Sequence, residues 1–241
     1  MLSIFFNFPE MAVIRDNLAH IAETIAQTAN KAGRSPEEIT LVAVSKTIGI
    51  DLIQEAMDNG QMLFGENYLQ EAADKIPAVP PAVTWHFIGH LQSNKARQAV
   101  ELFHVIETVD RWKIAQALDS HARSLKKPMS VLLQVNVGRE KQKSGVLPEE
   151  TETLLRQVAQ ETELRVLGLM TMPPFSSDPE KSRPYFKELR KLAQRLATLN
   201  LFADNAHVQL SMGMSHDYPV AIEEGATLVR IGTALFGPRS A

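Results

Sequence analysis

Short apolar segments alternate with longer amphipathic segments along most of the chain. The apolar segments are rich in β-branched residues and have the length of strands; they are "ITLVAVSK", "QMLFGEN", "TWHFIGH", "FHVIETVD", "SVLLQVNV", "LRVLGLMT", "HVQLSM" and "TLVRIG". The segments between them, such as "RWKIAQALDSHARSL" and "EETETLLRQVAQET", place apolar residues at helical spacing. Several strands are apolar at nearly every position, which is typical of a parallel sheet covered by helices on both faces.

This alternation predicts an α/β fold, namely a single-domain (β/α)8 TIM barrel. Strand–helix units of roughly 25 residues suit this barrel, which typically needs ~250 residues in all. An open doubly wound sheet is the alternative, but it would leave strands unplaced, and no G-x-G-x-x-G follows the first strand. The first clear helical pattern begins at Met11, so we predict a barrel domain over residues 11–241 and an N-terminal extension over residues 1–10.

Composition and charge exclude several classes of function. The 25 basic and 28 acidic residues are spread along the chain, so no basic stripe predicts a nucleic-acid surface. There is no cysteine, which excludes disulfides, thiolate nucleophiles and cysteine-ligated metals. The apolar start "MLSIFFNFPE" lacks the basic residues of a secretion leader and is far shorter than the ~20 residues that span a bilayer. We expect a cytoplasmic monomer with no membrane segment.

A lysine stands at the end of the first predicted strand, in "LVAVSKTIGI". In a barrel of this type the functional residues collect at the C-terminal ends of the strands. Lys46 occupies such a position, and so do Asn67, Asn136 and Arg230. Most lysines lie on the surface, so a solvated Lys46 is one interpretation. The other is a Schiff-base lysine, because partial desolvation at an apolar barrel mouth lowers the pKa of an amine and favours its nucleophilic form.

Two glycine-containing segments follow the seventh and eighth predicted strands. They are "LSMGMSHDY" and "IGTALFG", and they offer the hydroxyls of Ser211, Ser215 and Thr233. The loops at these places form the usual phosphate site of this barrel, and glycine lets the backbone approach an anion closely. Gly213 and Gly232 have an alternative role as simple turn residues. A phosphate site opposite a strand-end lysine nevertheless indicates a ligand that carries both a phosphate and an aldehyde, as pyridoxal phosphate does.

Seven motifs occur in the same order as in a known family, and they cover nearly the whole chain, from about Met11 to Pro238. They are "LVAVSKT", "FGENYLQE", "WHFIGHLQSNKARQAV", "LLQVNVGREKQKSGV", "GLMTM", "LSMGMSHDY" and "LVRIGTALFG". Together they closely resemble the YggS/PROSC family of pyridoxal phosphate homeostasis proteins. The resemblance implies a barrel of the alanine racemase N-terminal type, which fold-type III decarboxylases share. One departure is "TIGI" after Lys46, where many relatives have a proline shortly after the threonine.

The resemblance also implies roles for individual residues. It implies that Lys46 carries pyridoxal 5'-phosphate as an internal aldimine and that Arg230 is presented to the pyridine nitrogen. Asn67 matches a polar contact, Met170 a residue packed near the ring, and Lys143 a second lysine close to the site. The phosphate would be held by two loops that match Ser211, Met212, Gly213, Gly232 and Thr233.

The predicted function is storage and delivery of pyridoxal phosphate as part of its intracellular homeostasis, without catalytic turnover. An arginine cannot give up its proton to the pyridine nitrogen, so the ring is a shallower electron sink than it is beside an acid. The related racemases also use a tyrosine from another domain, and no such domain is predicted here. We expect amino acids and pyridoxal phosphate-dependent apo-enzymes as recipients, with Lys143 as a transient acceptor. A weak amino-acid racemase or decarboxylase is the alternative.

The two histidines of "HFIGH" suggest two further alternatives. His86 and His90 are four residues apart, which suits a metal site on a helix, but this segment runs from a strand into a glycine turn. No third ligand is apparent, so we expect hydrogen-bonded histidines and no metal. A sugar-phosphate isomerase would pair one histidine with a carboxylate base, for which Glu66 and Glu107 are the candidates.

Overall fold

The computed structural model describes residues 11–238, apart from the side chains of residues 11 and 12, and forms a closed barrel of parallel strands. The strands lie around the barrel in chain order, and β8 pairs with β1 to close it. They are β1 Thr40–Val44, β2 Leu63–Glu66, β3 Thr84–Phe87, β4 Val105–Val109, β5 Ser130–Gln134, β6 Arg165–Met170, β7 Gln209–Met214 and β8 Leu228–Ile231. Seven fall inside a segment predicted as a strand, and β7 extends two residues beyond its predicted segment, to Met214. The predicted barrel is confirmed. The N-terminal extension predicted over residues 1–10 lies outside the described residues.

Helices surround the barrel and connect successive strands. Within residues 11–238 they are α1 Met11–Lys31, α2 Ile50–Asp58, α3 Leu69–Lys75, α4 Ala96–Leu102, α5 Trp112–Leu125, α6 Thr151–Glu161, α7 Arg183–Ala197, α8 Tyr218–Glu223 and α9 Thr233–Phe236. Short 3-10 turns occur at Pro36–Glu38, Ile76–Ala78, Ser93–Lys95 and Pro179–Ser182. None of the helices in this part of the chain is long and apolar enough to cross a membrane.

The first helix completes the outer ring. Because α9 is short, it covers little of the sheet after β8, and α1 packs against α2, α8 and α9. The side chains of Ile14, Ile21 and Ile25 are buried on the inner face of α1, one or two turns apart. Asn17 Nδ2 donates a 2.8 Å hydrogen bond to the Leu235 carbonyl and fixes α1 against α9. Helix α9 is therefore held from outside the barrel.

The barrel interior is apolar in the middle and polar toward the C-terminal ends of the strands. Val42, Leu132, Met170 and Leu228 form a small buried cluster, separate from the large core between the sheet and the helices. The side chains of Glu107, Ser211 and Arg230 are also buried, on strands β4, β7 and β8. Such polar groups are stable inside a protein only when each has a hydrogen-bond or ion-pair partner. The interior therefore carries a polar layer beneath the mouth of the barrel.

Candidate functional site

One cavity of about 590 Å³ opens at the C-terminal ends of β1, β2 and β8. Its wall contains Lys46, Asn67, Arg230, Gly232 and Thr233. The sequence predicted all of these as cofactor-binding residues, and the structure brings them together around one space. The wall is completed mainly by apolar residues, with one further hydroxyl and one imidazole; these residues are Val44, Ile88, Met172, Phe175, Met214, Ser215, His216 and Ala234.

Lys46 lies in the turn that follows β1, partly buried in the cavity wall. Strand β1 places it there, because the buried apolar run that ends at Val44 leads the chain directly to the barrel mouth. Val44 and Ile88 line the same cavity, so part of the wall that Lys46 shares is apolar. Lys46 is thus placed where the sequence predicted a reactive lysine.

Arg230 is buried at the bottom of the cavity and is held by two hydrogen bonds. Its Nη1 donates to Ser211 Oγ at 2.6 Å, and its Nη2 donates to the Thr171 carbonyl at 2.8 Å. Burial lowers the pKa of Arg230, and the negative charge of Glu107 opposes this shift. A guanidinium nevertheless keeps its proton in proteins. Arg230 therefore presents a fixed donor and a positive charge to the cavity.

Glu107 is the buried anion that balances this arginine. Its Oε2 accepts a 2.5 Å hydrogen bond from Ser211 Oγ and lies 4.0 Å from Arg230 Nη1, while its Oε1 lies 2.6 Å from His86 Nδ1. Burial acts to raise the pKa of Glu107, but the hydrogen bond and charge of His86, together with Arg230 and Ser211, lower it below its usual value. The carboxylate is therefore occupied inside the barrel wall, where it cannot act as a base in the cavity.

The loops after β7 and β8 form another part of the cavity wall. Gly232 and Thr233 open helix α9, whose first amides lack acceptors within the helix. Ser215 Oγ accepts a 3.3 Å hydrogen bond from the Ala234 amide, which links the two loops. Hydroxyls and amides at a helix start suit an anionic group. The cavity wall thus combines an amine and a cation with a set of neutral donors.

Asn67 supplies a direct sign of a missing polar partner. Its side chain lines the cavity, and within residues 11–238 its Oδ1 is buried without a hydrogen-bond partner. An unsatisfied buried oxygen is unfavourable, so its place in a cavity wall indicates a ligand that carries a donor. A phosphate-bearing pyridine aldehyde has such a group in its ring hydroxyl. The residues present therefore fit pyridoxal phosphate in charge and in hydrogen-bonding capacity.

Four other residues predicted to bind the cofactor do not line this cavity. Met170 is buried in the small apolar cluster inside the barrel, and Met212 is buried in the large core. The Ser211 hydroxyl is used by Glu107 and Arg230. Gly213 adopts a φ of 91°, and a Cβ at this position would lie 2.6 Å from the Ala221 Cβ, so glycine is needed here for the approach of α8. Direct cofactor contacts of these four residues stay predictions.

Several lining residues were not among the predicted binding residues. Met214 and His216 lie in the motif "LSMGMSHDY", whose loop the sequence did single out. Phe175 lies in the loop after β6, is 82% exposed, and stands with its ring 5.5 Å from that of His216. The only sequence signal for Phe175 is its position after a strand, which it shares with many residues. Its place at the mouth depends on a contact between distant loops.

Lys143 lines a smaller neighbouring cavity of about 260 Å³. Its Nζ donates to the Pro173 carbonyl at 3.0 Å and forms an ion pair with Glu140. The two cavities share Ile88, Met172, Phe175 and Met214 as walls. The predicted second lysine thus lies next to the main cavity and not in it.

The residues considered for the other functions have internal partners. His86 is bound to Glu107, and His90 Nδ1 lies 2.9 Å from Ser144 Oγ. Glu66 is fully buried and accepts hydrogen bonds from Ser45 and Lys75. Within the described residues, no group of three or more His, Cys, Asp or Glu side chains has an arrangement that could hold a metal ion.

A family model described as the alanine racemase N-terminal domain matches residues 16–240. A pyridoxal phosphate homeostasis protein of Pseudomonas aeruginosa is 45% identical over 95% of this chain and 97% of its own length. The proteins of the same name from Vibrio alginolyticus and Escherichia coli strain K12 are each 43% identical, over 95% and 94% of this chain. The chain belongs to the pyridoxal phosphate homeostasis protein family.

Solved structures of relatives have the same fold. PipY of Synechococcus elongatus is 36% identical, and the match covers 93% of this chain and all of PipY. The TM-score is 0.83 for PipY without pyridoxal phosphate (PLP) and 0.81 for PipY with PLP bound. An alanine racemase of Clostridium difficile has a TM-score of 0.73 at 14% identity, and this chain covers 58% of it. At that identity the likeness concerns the barrel alone.

Proposed function

We propose that this protein binds pyridoxal phosphate covalently through Lys46 and takes part in pyridoxal phosphate homeostasis. One observation carries the proposal: a single cavity joins the Lys46 amine, the buried Arg230 and Asn67 to the loops that contain Ser215 and Thr233. The names of its relatives and the PLP-bound structure of PipY support the same ligand. In this proposal the cavity provides separate places for the aldehyde, the ring and the phosphate.

Each part of the cavity has a distinct task in this proposal. Pyridoxal phosphate supplies an aldehyde that condenses reversibly with a primary amine and releases one water. Lys46 provides the amine, and the apolar wall around it limits access of water. Ser215, Gly232 and Thr233 would hold the phosphate through hydroxyls and amides. Arg230 would donate to the ring nitrogen, and Asn67 would accept from the ring hydroxyl.

We propose further that the protein stores and delivers the cofactor without catalytic turnover. The ionisable residues among those that line the cavity are Lys46, His216 and Arg230, so its described wall has no carboxylate and no tyrosine of the kind that the related racemases use. Arg230 cannot protonate the ring nitrogen, which weakens the stabilisation of a carbanion. Incubation of the loaded protein with L-alanine and other amino acids should give no D-isomer and no CO₂; sustained formation of either would establish an enzyme instead.

Delivery would proceed by exchange of Lys46 for an incoming amine. Amino acids and the active-site lysines of cofactor-dependent apo-enzymes are the proposed acceptors, and Lys143 is proposed as a transient one, since its cavity adjoins the first. The Lys143→Ala variant should therefore release cofactor several-fold more slowly to an apo-enzyme while it binds the cofactor normally. An unchanged release rate would remove Lys143 from the proposal. The monomeric state and the cytoplasmic location stay predictions.

The decisive binding experiment is spectroscopic. Purified protein mixed with pyridoxal phosphate should gain an absorbance band that survives dialysis and that borohydride bleaches with fixation of the cofactor. Lys46→Ala should lose the band, whereas a matched change of the exposed lysine of α5, Lys113→Ala, should keep it. If wild-type protein takes up no cofactor, or if Lys46→Ala is labelled as strongly as wild type, the proposed function is wrong.

A further inference from the structure

A cluster of charged side chains lies directly behind the turn that carries Lys46. It consists of Lys75 and Glu71 on α3 and Glu66 at the end of β2. Lys75 and Glu66 are buried, and Glu71 is partly exposed. None of the three lines the cavity described above. The proposed function uses none of them, so their presence at this place needs a separate explanation.

Lys75 uses its ammonium group to join three acceptors. Its Nζ donates to the Ser45 carbonyl at 2.6 Å, to Glu66 Oε1 at 2.8 Å and to Glu71 Oε1 at 2.5 Å. A lysine has three N–H donors, and these bonds occupy all of them. The ammonium position is thus fixed in three directions, and one of its acceptors belongs to the residue immediately before Lys46.

The same cluster also reaches the residue after Lys46. The Thr47 amide donates to Glu71 Oε1 at 2.6 Å, and Ser45 Oγ donates to Glu66 Oε1 at 2.8 Å. The backbone is consequently held on both sides of Lys46, through the Ser45 carbonyl and the Thr47 amide. Each bond ends on a carboxylate or an ammonium that is itself held by the cluster.

The conformation of the turn shows why such support is required. Thr47 has a φ of 62°, in the left-handed region that β-branched residues rarely adopt. A strained backbone of this kind persists only where the surroundings determine it fully. The bond from the Thr47 amide to Glu71 is the contact that supplies this support, and Lys75 in turn holds Glu71.

Stability alone gives a poor account of the cluster. A buried ion pair is often no more stabilising than apolar residues of similar volume. Burial here raises the pKa of Glu66, and within residues 11–238 its Oε2 is buried without a hydrogen-bond partner. These unfavourable features are concentrated behind one turn, the turn that directs Lys46 into the cavity. Precise placement of a reacting group is an effect for which such features are retained at functional sites.

We propose that Lys75 is a positioning residue for Lys46. Through Glu66 and Glu71 it fixes the Ser45–Thr47 turn, so that the Lys46 amine points into the cavity at the place where the aldehyde binds. Lys75 does not itself take the cofactor. This inference rests on the proposed function, because it assigns Lys46 as the point of attachment.

The test compares variants of the full chain in two measurements. Lys75→Met and Glu71→Ala should each slow covalent uptake of pyridoxal phosphate at least about tenfold, since small displacements of a reacting group have effects of that size. Glu71→Gln keeps an oxygen acceptor for the Thr47 amide and should restore most of the rate. Without any cofactor, amide hydrogen exchange of a peptide that spans residues 44–48 should be faster in Lys75→Met than in wild type.

Lys127→Met is the matched control. Lys127 Nζ also donates to three acceptors, which are the backbone carbonyls of Val100, Glu101 and Phe103, and it lies at the opposite end of the barrel. The Lys127→Met variant should take up the cofactor at the wild-type rate, and amide hydrogen exchange of residues 44–48 should also be unchanged. Wild-type uptake rates for both Lys75→Met and Glu71→Ala, with uptake abolished in Lys46→Ala, would overturn the inference and keep the proposed function. If Lys75→Met fails to fold, Glu71→Ala against Glu71→Gln decides, and equal rates for these two refute it.

Discussion

Replacement of Gly213 by alanine separates two roles that this glycine can have. Gly213 lies in β7, has a φ of 91°, and approaches the start of α8 so closely that a Cβ would stand 2.6 Å from the Ala221 Cβ and 3.0 Å from the Tyr218 Cα. Carbon atoms at optimal separation are about 3.5–4.0 Å apart. Alanine would therefore have to push α8 away from the barrel as well as adopt an unfavourable backbone conformation.

The expected loss of stability has two parts. A left-handed conformation costs about 1–2 kcal/mol for an ordinary L-residue. Overpacking of a well-packed region adds about 1–3 kcal/mol. Gly60→Ala isolates the first part, because Gly60 has nearly the same φ, 90°, and nothing within 4 Å of the added Cβ.

Urea unfolding of the cofactor-free protein measures both variants. Gly213→Ala should have a lower free energy of unfolding than Gly60→Ala by about 1–3 kcal/mol, with an unchanged dependence on urea concentration. Equal stabilities of the two variants would refute the packing argument. If the two variants were equally stable and only Gly213→Ala bound pyridoxal phosphate weakly, Gly213 would have the role predicted from the sequence, which is contact with the phosphate.

Two other predictions concern the buried network and the phosphate side of the cavity. Because the pKa of Glu107 is lowered in the folded protein, its carboxylate contributes stability above the unfolded value of about 4.3, and this is lost as the pH falls through the lower folded value. The melting temperature of wild type should therefore fall more steeply below about pH 4.3 than that of Glu107→Gln, and parallel curves would contradict this. Ser215→Ala should weaken binding of pyridoxal phosphate about tenfold, since a hydrogen bond to a charged group contributes ~1.5–3 kcal/mol. The control is Ser177→Ala, which changes an exposed serine outside the cavity wall. Equal affinities of Ser215→Ala and Ser177→Ala for pyridoxal phosphate would show that Ser215 does not contact the phosphate.

The fold could be predicted because its signal is local. Each strand is a short apolar run, and a strand covered on both faces shows such a run whatever its neighbours are. Lys46 and Arg230 were found for the same reason, since their place at a strand end can be read from the strand itself. Gly232 and Thr233 follow from the known position of the phosphate loops in this barrel.

The remaining features depend on contacts between distant parts of the chain. The phosphate contact predicted for Ser211 stays a prediction, and nothing in the sequence indicates that the Ser211 hydroxyl also bonds to Glu107, which lies 104 positions earlier. Whether a strand-end hydroxyl turns into the barrel or toward the mouth depends on the residue opposite it, and no local pattern records that residue. Lys75 is similar: on α3 it resembles an ordinary surface lysine, and only the folded chain brings it against the Ser45 carbonyl.

A crystal structure of the protein grown with pyridoxal phosphate tests the central claim most directly. The claim is that one cavity holds both the reactive amine and the phosphate-binding loops. The account predicts continuous electron density from Lys46 Nζ to the cofactor, with the phosphate beside Ser215, Gly232 and Thr233 and the ring nitrogen beside Arg230. Cofactor bound in another cavity, or attached to another lysine while Lys46 stays unmodified, would contradict it.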